Sequence, residues 1–157
     1  MTDAKRPVAP KRRKPARPTP KPKVVTPRKD QSKVGDGQVA LVPRKGRKAK
    51  GDGPGGEYWE VQLDGKRVGE VFVNVIDQAP IGRHASLQIF LNKPEQGKGV
   101  GRIAYRMAAD SSQHDFIYLH MRKANLASRI AAEAAGFKDV TPPQVTQLIL
   151  KRARAAK

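Results

Sequence analysis

Three glycines within five residues, Gly97, Gly99 and Gly101, separate an apolar run from an amphipathic one, and no other junction restricts the fold as tightly. Ahead of it residues 85–91 (Ala-Ser-Leu-Gln-Ile-Phe-Leu) have the composition of a strand, and behind it Ile103, Met107 and Ala108 recur at helical spacing. Residues 91–102 therefore read as strand end, Gly-rich turn and helix start. Glycine lets a backbone come close to a ligand. The first-turn N–H groups of a helix have no internal partner, and the helix dipole favours negative charge beside them. Such a turn either cradles a phosphate or only reverses the chain, and the glycines alone do not choose between the two.

The flanking segments supply a layered domain around that turn. Tyr58, Trp59, Val61 and Leu63 alternate along one strand, and Val71, Val73 and Val75 share a face of the next. Asp64-Gly65 between them is a hairpin signal. Trp59 is expected as a core or sheet-face aromatic. Residues 77–84, with Pro80 and Gly82, are expected as a loop into the strand before the Gly-rich turn. After the first helix, residues 116–121 read as a strand. A second helix begins at Ala124 or Asn125 and is stopped by Gly136, and residues 137–140 and 145–150 end the domain as strands. The order, two strands, a third, helix, strand, helix and two strands, specifies an α/β (α+β layered) domain.

Charge sets the expected boundaries. Residues 1–56 hold 17 of the 32 Lys and Arg against four acids, Asp3, Asp30, Asp36 and Asp52, whereas residues 57–150 are nearly balanced. The first segment is rich in Pro, Lys and Arg and offers little apolar surface to offset ordering entropy. Residues 1–56 are accordingly expected as a disordered basic tail. Within it, residues 38–42 form a short strand candidate and residues 51–56 a flexible Gly-rich join. The folded domain is expected over residues 57–151, with a basic C-terminal tail at 152–157. The chain has no cysteine, which excludes thiol catalysis and Cys-ligated zinc. No apolar run approaches a membrane span, and the first ten residues lack a signal core, so a cytoplasmic or nucleoid-side location is expected and no membrane contact.

Two motifs in this order resemble the signatures of the GNAT family of acetyl-CoA-dependent N-acetyltransferases. Gln96-Gly97-Lys98-Gly99-Val100-Gly101 fits the first, Gln or Arg, two residues, Gly, one residue, Gly or Ala. Leu119-His120-Met121-Arg122-Lys123-Ala124-Asn125, followed by Ser128, Glu133 and Gly136-Phe137, resembles the second, as it occurs in the ribosomal-protein N-acetyltransferase branch. The resemblance implies the GNAT acyl-CoA N-acyltransferase fold, reduced at the N-terminus, with a mixed twisted sheet and two main helices. It further implies that Gln96, Gly97, Lys98, Gly99, Val100, Gly101 and Arg102 hold the CoA pyrophosphate and that Phe90 and Leu91 pair with the pantetheine arm. Asn125 and Ser128 would face the cofactor near the thioester, although an Asn and a Ser there also suit helix capping. No metal is implied.

The resemblance also carries the chemistry. His120 stands where relatives place a Glu base, and its ordinary pKa near 6.5 suits proton transfer at working pH. Relatives often carry an acid Tyr where this chain has Ala132, which leaves Ser128, Tyr118 or water to protonate the leaving thiolate. His84 and His114 are expected in loops, and Glu70 as an outward strand residue. Family members usually carry a strand and two helices ahead of the hairpin. Here that stretch lies in the basic tail, which leaves the acceptor side open or closed by a second copy in a homodimer. An open side favours a protein amine, an N-terminus or a Lys side chain, as acceptor.

The alternative is a catalytically weak protein of this fold that binds nucleic acid nonspecifically through residues 5–50. Pro10-Lys11-Arg12-Arg13-Lys14-Pro15 suits an import signal or a phosphate-backbone anchor, or merely solubilises the chain, and the tail has no aromatic for base stacking. Retention of DNA on a filter is expected to fall steeply between about 50 and 200 mM salt. An unchanged retention across that range removes the nucleic-acid reading.

Overall fold

A computed structural model describes residues 34–156. Its strands are β1 (Val39–Pro43), β2 (Glu57–Leu63), β3 (Lys66–Gln78), β4 (Gly82–Leu91), β5 (Phe116–Met121), β6 (Lys138–Asp139) and β7 (Leu148–Ala153). Helix α1 (Val100–Ser111) joins β4 to β5, and α2 (Leu126–Ala134) follows β5. The strands make one mixed sheet in the order β1-β2-β3-β4-β5-β7-β6, antiparallel throughout except between β4 and β5. The layered α/β class with two main helices is thus the one expected. No helix among the described residues is long and apolar enough to cross a membrane.

Period-two alternation gives the sheet two faces with different work. Trp59, Val61, Val71, Val73, Leu87, Ile117, Leu119 and Leu150 pack with Val100, Ile103, Ala104 and Ala108 of α1 in one core. Each such buried Val, Leu or Ile side chain contributes roughly 1.5–3 kcal/mol. The alternate positions, Tyr58, Glu70, Phe72, His84, Ser86, Phe90, Tyr118 and His120, lie on the opposite face by register. Asp64 (φ 51°) and Gly65 (φ 78°) take the left-handed conformations of a two-residue hairpin and close β2 onto β3 at Leu63 and Lys66, as the Asp-Gly signal requires. Gly136 (φ 95°) ends α2.

The boundary at Glu57 is too late. Val34 is buried and its N–H donates to Lys98 O at 3.0 Å, Arg106 Nη2 lies 2.6 Å from Asp36 Oδ2, and β1 pairs along its whole length with β2, from Leu63 to Trp59. Val39 and Leu41 extend the core, and the surrounding cations conceal them in any composition average. Residues 51–56 are not a flexible join either. Arg47 and Lys50 exchange backbone hydrogen bonds across Lys48 (φ 48°) and Ala49 (φ 64°), two left-handed residues without a glycine. Asn74 of β3 clamps this turn, its Nδ2 donating to Ala49 O and its Oδ1 accepting from Gly51 N, both at 2.8 Å. No helix lies between β1 and β2. Residues 1–33, most of the basic tail, fall outside the described residues.

Two smaller corrections concern strand length. Asp77 pairs with Arg83 and Gln78 with Gly82, so the loop expected at 77–84 shrinks to three residues and His84 lies in β4. At the other end β7 runs through Arg152 and Ala153, and Arg152 Nη1 donates to Asp110 Oδ1 at 2.5 Å, so the C-terminal tail begins later than residue 152. Conversely, β6 is only two residues long where four were expected.

Gly51 gives a direct check on the turn ahead of β2. It has φ 69°, and a Cβ there would stand 2.2 Å from Glu57 O, a backbone atom that cannot swing away. Gly51→Ala is expected to lower stability by roughly 2–5 kcal/mol in urea denaturation, from left-handed strain plus overpacking. A loss under about 1 kcal/mol would show that residues 46–56 are not fixed to the sheet.

Candidate active site

The Gly-rich turn leaves the end of α1 bare. Gly97 (φ 78°) and Gly99 (φ 89°) are left-handed, and Gly99 is the N-cap of α1 with no side chain capping it. The N–H groups of Val100, Gly101 and Arg102 therefore open the helix without side-chain acceptors, and the first turn contains no acidic residue. A Cβ added at Gly99 meets nothing within 4 Å, so no other group crowds that position. Such an end suits a phosphate. Arg102 makes no ion pair among the described residues and stands half-buried beside it. Two expected contributors are otherwise engaged. Lys98 Nζ pairs with Glu95 Oε2 at 3.2 Å, and Gln96 Nε2 donates to Leu91 O at 3.1 Å, which ties the turn back to β4.

Beside this turn the sheet opens. β4 and β5 pair at a single position, Ser86 with Tyr118, and the rest of β4 through Leu91 has no strand partner on that side. Phe90 and Leu91 thus border an unfilled ladder, with Phe90 54% exposed. An extended chain with its own amide groups is what an open strand edge accepts. Across the gap Asn125 caps α2, its Oδ1 accepting from Ser128 N at 3.3 Å, so the capping use of this residue is realised. Ser128 adjoins the buried hydroxyl of Tyr105, whose pKa burial raises. Tyr105 thus keeps its proton beside Ser128, a neighbour that spacing along the chain does not reveal.

Two histidines meet on the face away from the helices. His84 Nε2 and His120 Nε2 are 2.8 Å apart, and His84 Nδ1 lies 2.7 Å from Gly82 O. A carbonyl only accepts, so His84 Nδ1 carries the proton there. With both rings neutral, His84 Nε2 is then the acceptor and His120 Nε2–H the donor. His120 Nδ1 is left with a lone pair, buried and without a partner. Burial lowers the His120 pKa, and the neighbouring His84 lowers it further. A neutral imidazole with an unclaimed lone pair is a competent general base. Tyr118 packs edge-on against His84 at 4.9 Å between ring centroids. His114, by contrast, only braces the turn ahead of β2, its Nε2 donating to Gly55 O at 2.7 Å.

Glu70 is not an outward surface residue. It is 7% exposed on the face of the histidines, where Tyr58 donates to it at 2.5 Å and Lys50 pairs with it. Burial alone would raise its pKa, but the hydrogen bonds from Lys50 and Tyr58 and the charges of Lys50 and Arg67 hold it below the usual carboxylate value. Among the described residues no group of three or more His, Asp or Glu side chains is placed to hold a metal.

The model of the acetyltransferase (GNAT) family matches residues 32–137. No curated protein matches the chain in sequence. Among solved structures, RimJ of Mycobacterium smegmatis in complex with CoA-disulfide is 20% identical over 62% of this chain and 53% of its own, with a TM-score of 0.51. The yncA acetyltransferase of Salmonella typhimurium with acetyl-CoA is 16% identical over 66% and 67%, at 0.54. The dodecameric spermidine N-acetyltransferase of Vibrio cholerae is 19% identical over 75% and 95%, at 0.55. At these identities the likeness is one of fold, and the chain spans only about half of the RimJ chain.

Proposed function

The chain belongs to the GNAT acetyltransferase family, and from that premise we propose that it transfers the acetyl group of acetyl-CoA to a primary amine, with a protein amine as acceptor. The observation that carries the proposal is the combination of an uncapped, Gly-lined α1 terminus with a β4 edge left unpaired beyond Ser86. The N–H groups of residues 97–102 and the Arg102 side chain are proposed to hold the pyrophosphate, and Gln96 and Lys98 to shape the turn. Phe90 and Leu91 are proposed to pair with the pantetheine arm, and Asn125 and Ser128 to border its thioester end. Bound there, acetyl-CoA supplies an acyl group activated by its thiol leaving group.

The remaining work falls to the chain. An ammonium must lose a proton before it attacks, and His120 Nδ1 is the proposed acceptor of that proton. His84 is a positioning residue, since its bond to Gly82 O fixes which nitrogen of His120 is bare. Ser128, beside the protonated Tyr105 hydroxyl, is proposed to protonate the departing sulfur.

A protein acceptor is supported by the described residues, among which no helix lies between β1 and β2 to wall the histidine face against a small amine. Thiol release in the presence of peptides with free N-termini or lysines, spermidine and an aminoglycoside tests this. Peptides are expected to give the highest kcat/KM, and a preference for either small amine overturns the acceptor assignment.

A further inference from the structure

On the same open face one of the chain's own amines is held in place. The left-handed pair Lys48 and Ala49 turns the chain sharply, and Asn74 grips both sides of the turn. Each left-handed residue of this kind costs about 1–2 kcal/mol, so the turn persists only because its surroundings fix it. The product of that strain is the placement of Lys50. Its Nζ pairs with Glu70 Oε1 and lies 5.9 Å from the ring centroid of Phe72 and 5.6 Å from that of Phe90. A carboxylate beside two aromatic faces is an ammonium site. Glu70 is directly opposite Phe90, and Phe72 opposite Gln88, in the β3–β4 register. The ammonium therefore stands over the length of β4 that lacks a β5 partner. Lys45 and Lys48, in the same segment, make no ion pair among the described residues.

We infer that Lys50 is itself an acetyl acceptor, modified by the donor bound to its own chain. The inference rests on the acetyltransferase reading above and adds to it a modification site. Lys50 Nζ gives one proton to water on its open side, where the side chain is 39% exposed. The freed lone pair forms the bond to the acetyl carbon and the carbon–sulfur bond breaks. The second proton lost by nitrogen ends on sulfur, so the products are an amide at Lys50, a free thiol and one released proton. Proximity replaces a bimolecular encounter by an intramolecular one.

Full-length chain incubated with acetyl-CoA carrying a deuterated acetyl group, then digested and mapped by mass spectrometry, tests this. Label is expected at Lys50 at least about tenfold faster than at Lys45 or Lys48, with a half-time independent of protein concentration. Lys50→Arg is expected to lose that label while calorimetry shows unchanged acetyl-CoA binding. Labelling of Lys50 no faster than of Lys48, or a half-time that shortens with protein concentration, overturns the inference when the same sample binds acetyl-CoA. A sample that gives no binding heat overturns the acetyltransferase reading itself, and this site with it.

Discussion

Gly99→Glu is expected to weaken acetyl-CoA binding by roughly 30- to 150-fold in a calorimetric titration. Gly99 is the N-cap of α1 with φ 89°, and a Cβ added there meets no other group within 4 Å, so a carboxylate is brought to the N-terminus of α1 without a clash. A carboxylate about 4 Å from a phosphate at an effective dielectric near 20 costs about 4 kcal/mol per charge pair. Solvent at the open turn screens part of this, which leaves roughly 2–3 kcal/mol. The variant also bears left-handed strain of about 1–2 kcal/mol, a cost to folding and not to binding. Gly99→Ala carries the same strain without the charge and is expected to lose less than about tenfold. If Gly99→Glu binds within about threefold of the wild type, the phosphates do not sit at α1.

His120→Ala is expected to lower kcat by about 10²–10⁴, the usual worth of a general base. The pH dependence separates this role from packing. Burial and His84 both lower the His120 pKa, so the neutral, proton-accepting form persists below the ordinary value. The kcat/KM of the wild type is expected to stay level above about pH 6.5 and to decline only below it. His84→Ala removes the second of these causes, and with it the bond that leaves Nδ1 bare. Its acid limb is expected to move to higher pH, since the lost cover and the lost charge of His84 both raise the His120 pKa. A His120→Ala chain within tenfold of the wild type, or an acid limb that stays in place in His84→Ala, removes the pair from the mechanism.

The half of the candidate site made from contiguous residues was legible in the sequence as local structure. The Gly-rich turn, the strand before it and the helix after it are neighbours in the chain, so spacing alone located them, and Asn125 and Gly136 bracket α2 by local capping chemistry. The other half is made by register. His84 and His120 are 36 residues apart and meet only because β4 and β5 lie side by side, parallel from Ser86 and Tyr118. Nothing in either stretch announces the other. The Lys50–Glu70 pair was hidden for a different reason. Lys48 and Ala49 take left-handed conformations that Gly or Asn usually signals, and the cations around them made the segment look like tail. Gln96 and Lys98 show the limit of motif reading, since both sit in the motif while their side chains serve the turn itself.

The central claim is that one chain binds acetyl-CoA and passes its acetyl group to an amine. Its most direct test is a single sample of full-length chain with acetyl-CoA and a lysine-containing peptide, in which free thiol and acetylated amine are measured together. The expected result is one thiol released for each acetyl group found on nitrogen, lost in Gly99→Glu and sharply slowed in His120→Ala. Binding of acetyl-CoA with no thiol released above the buffer rate, or thiol released with no acetylated amine, would contradict it.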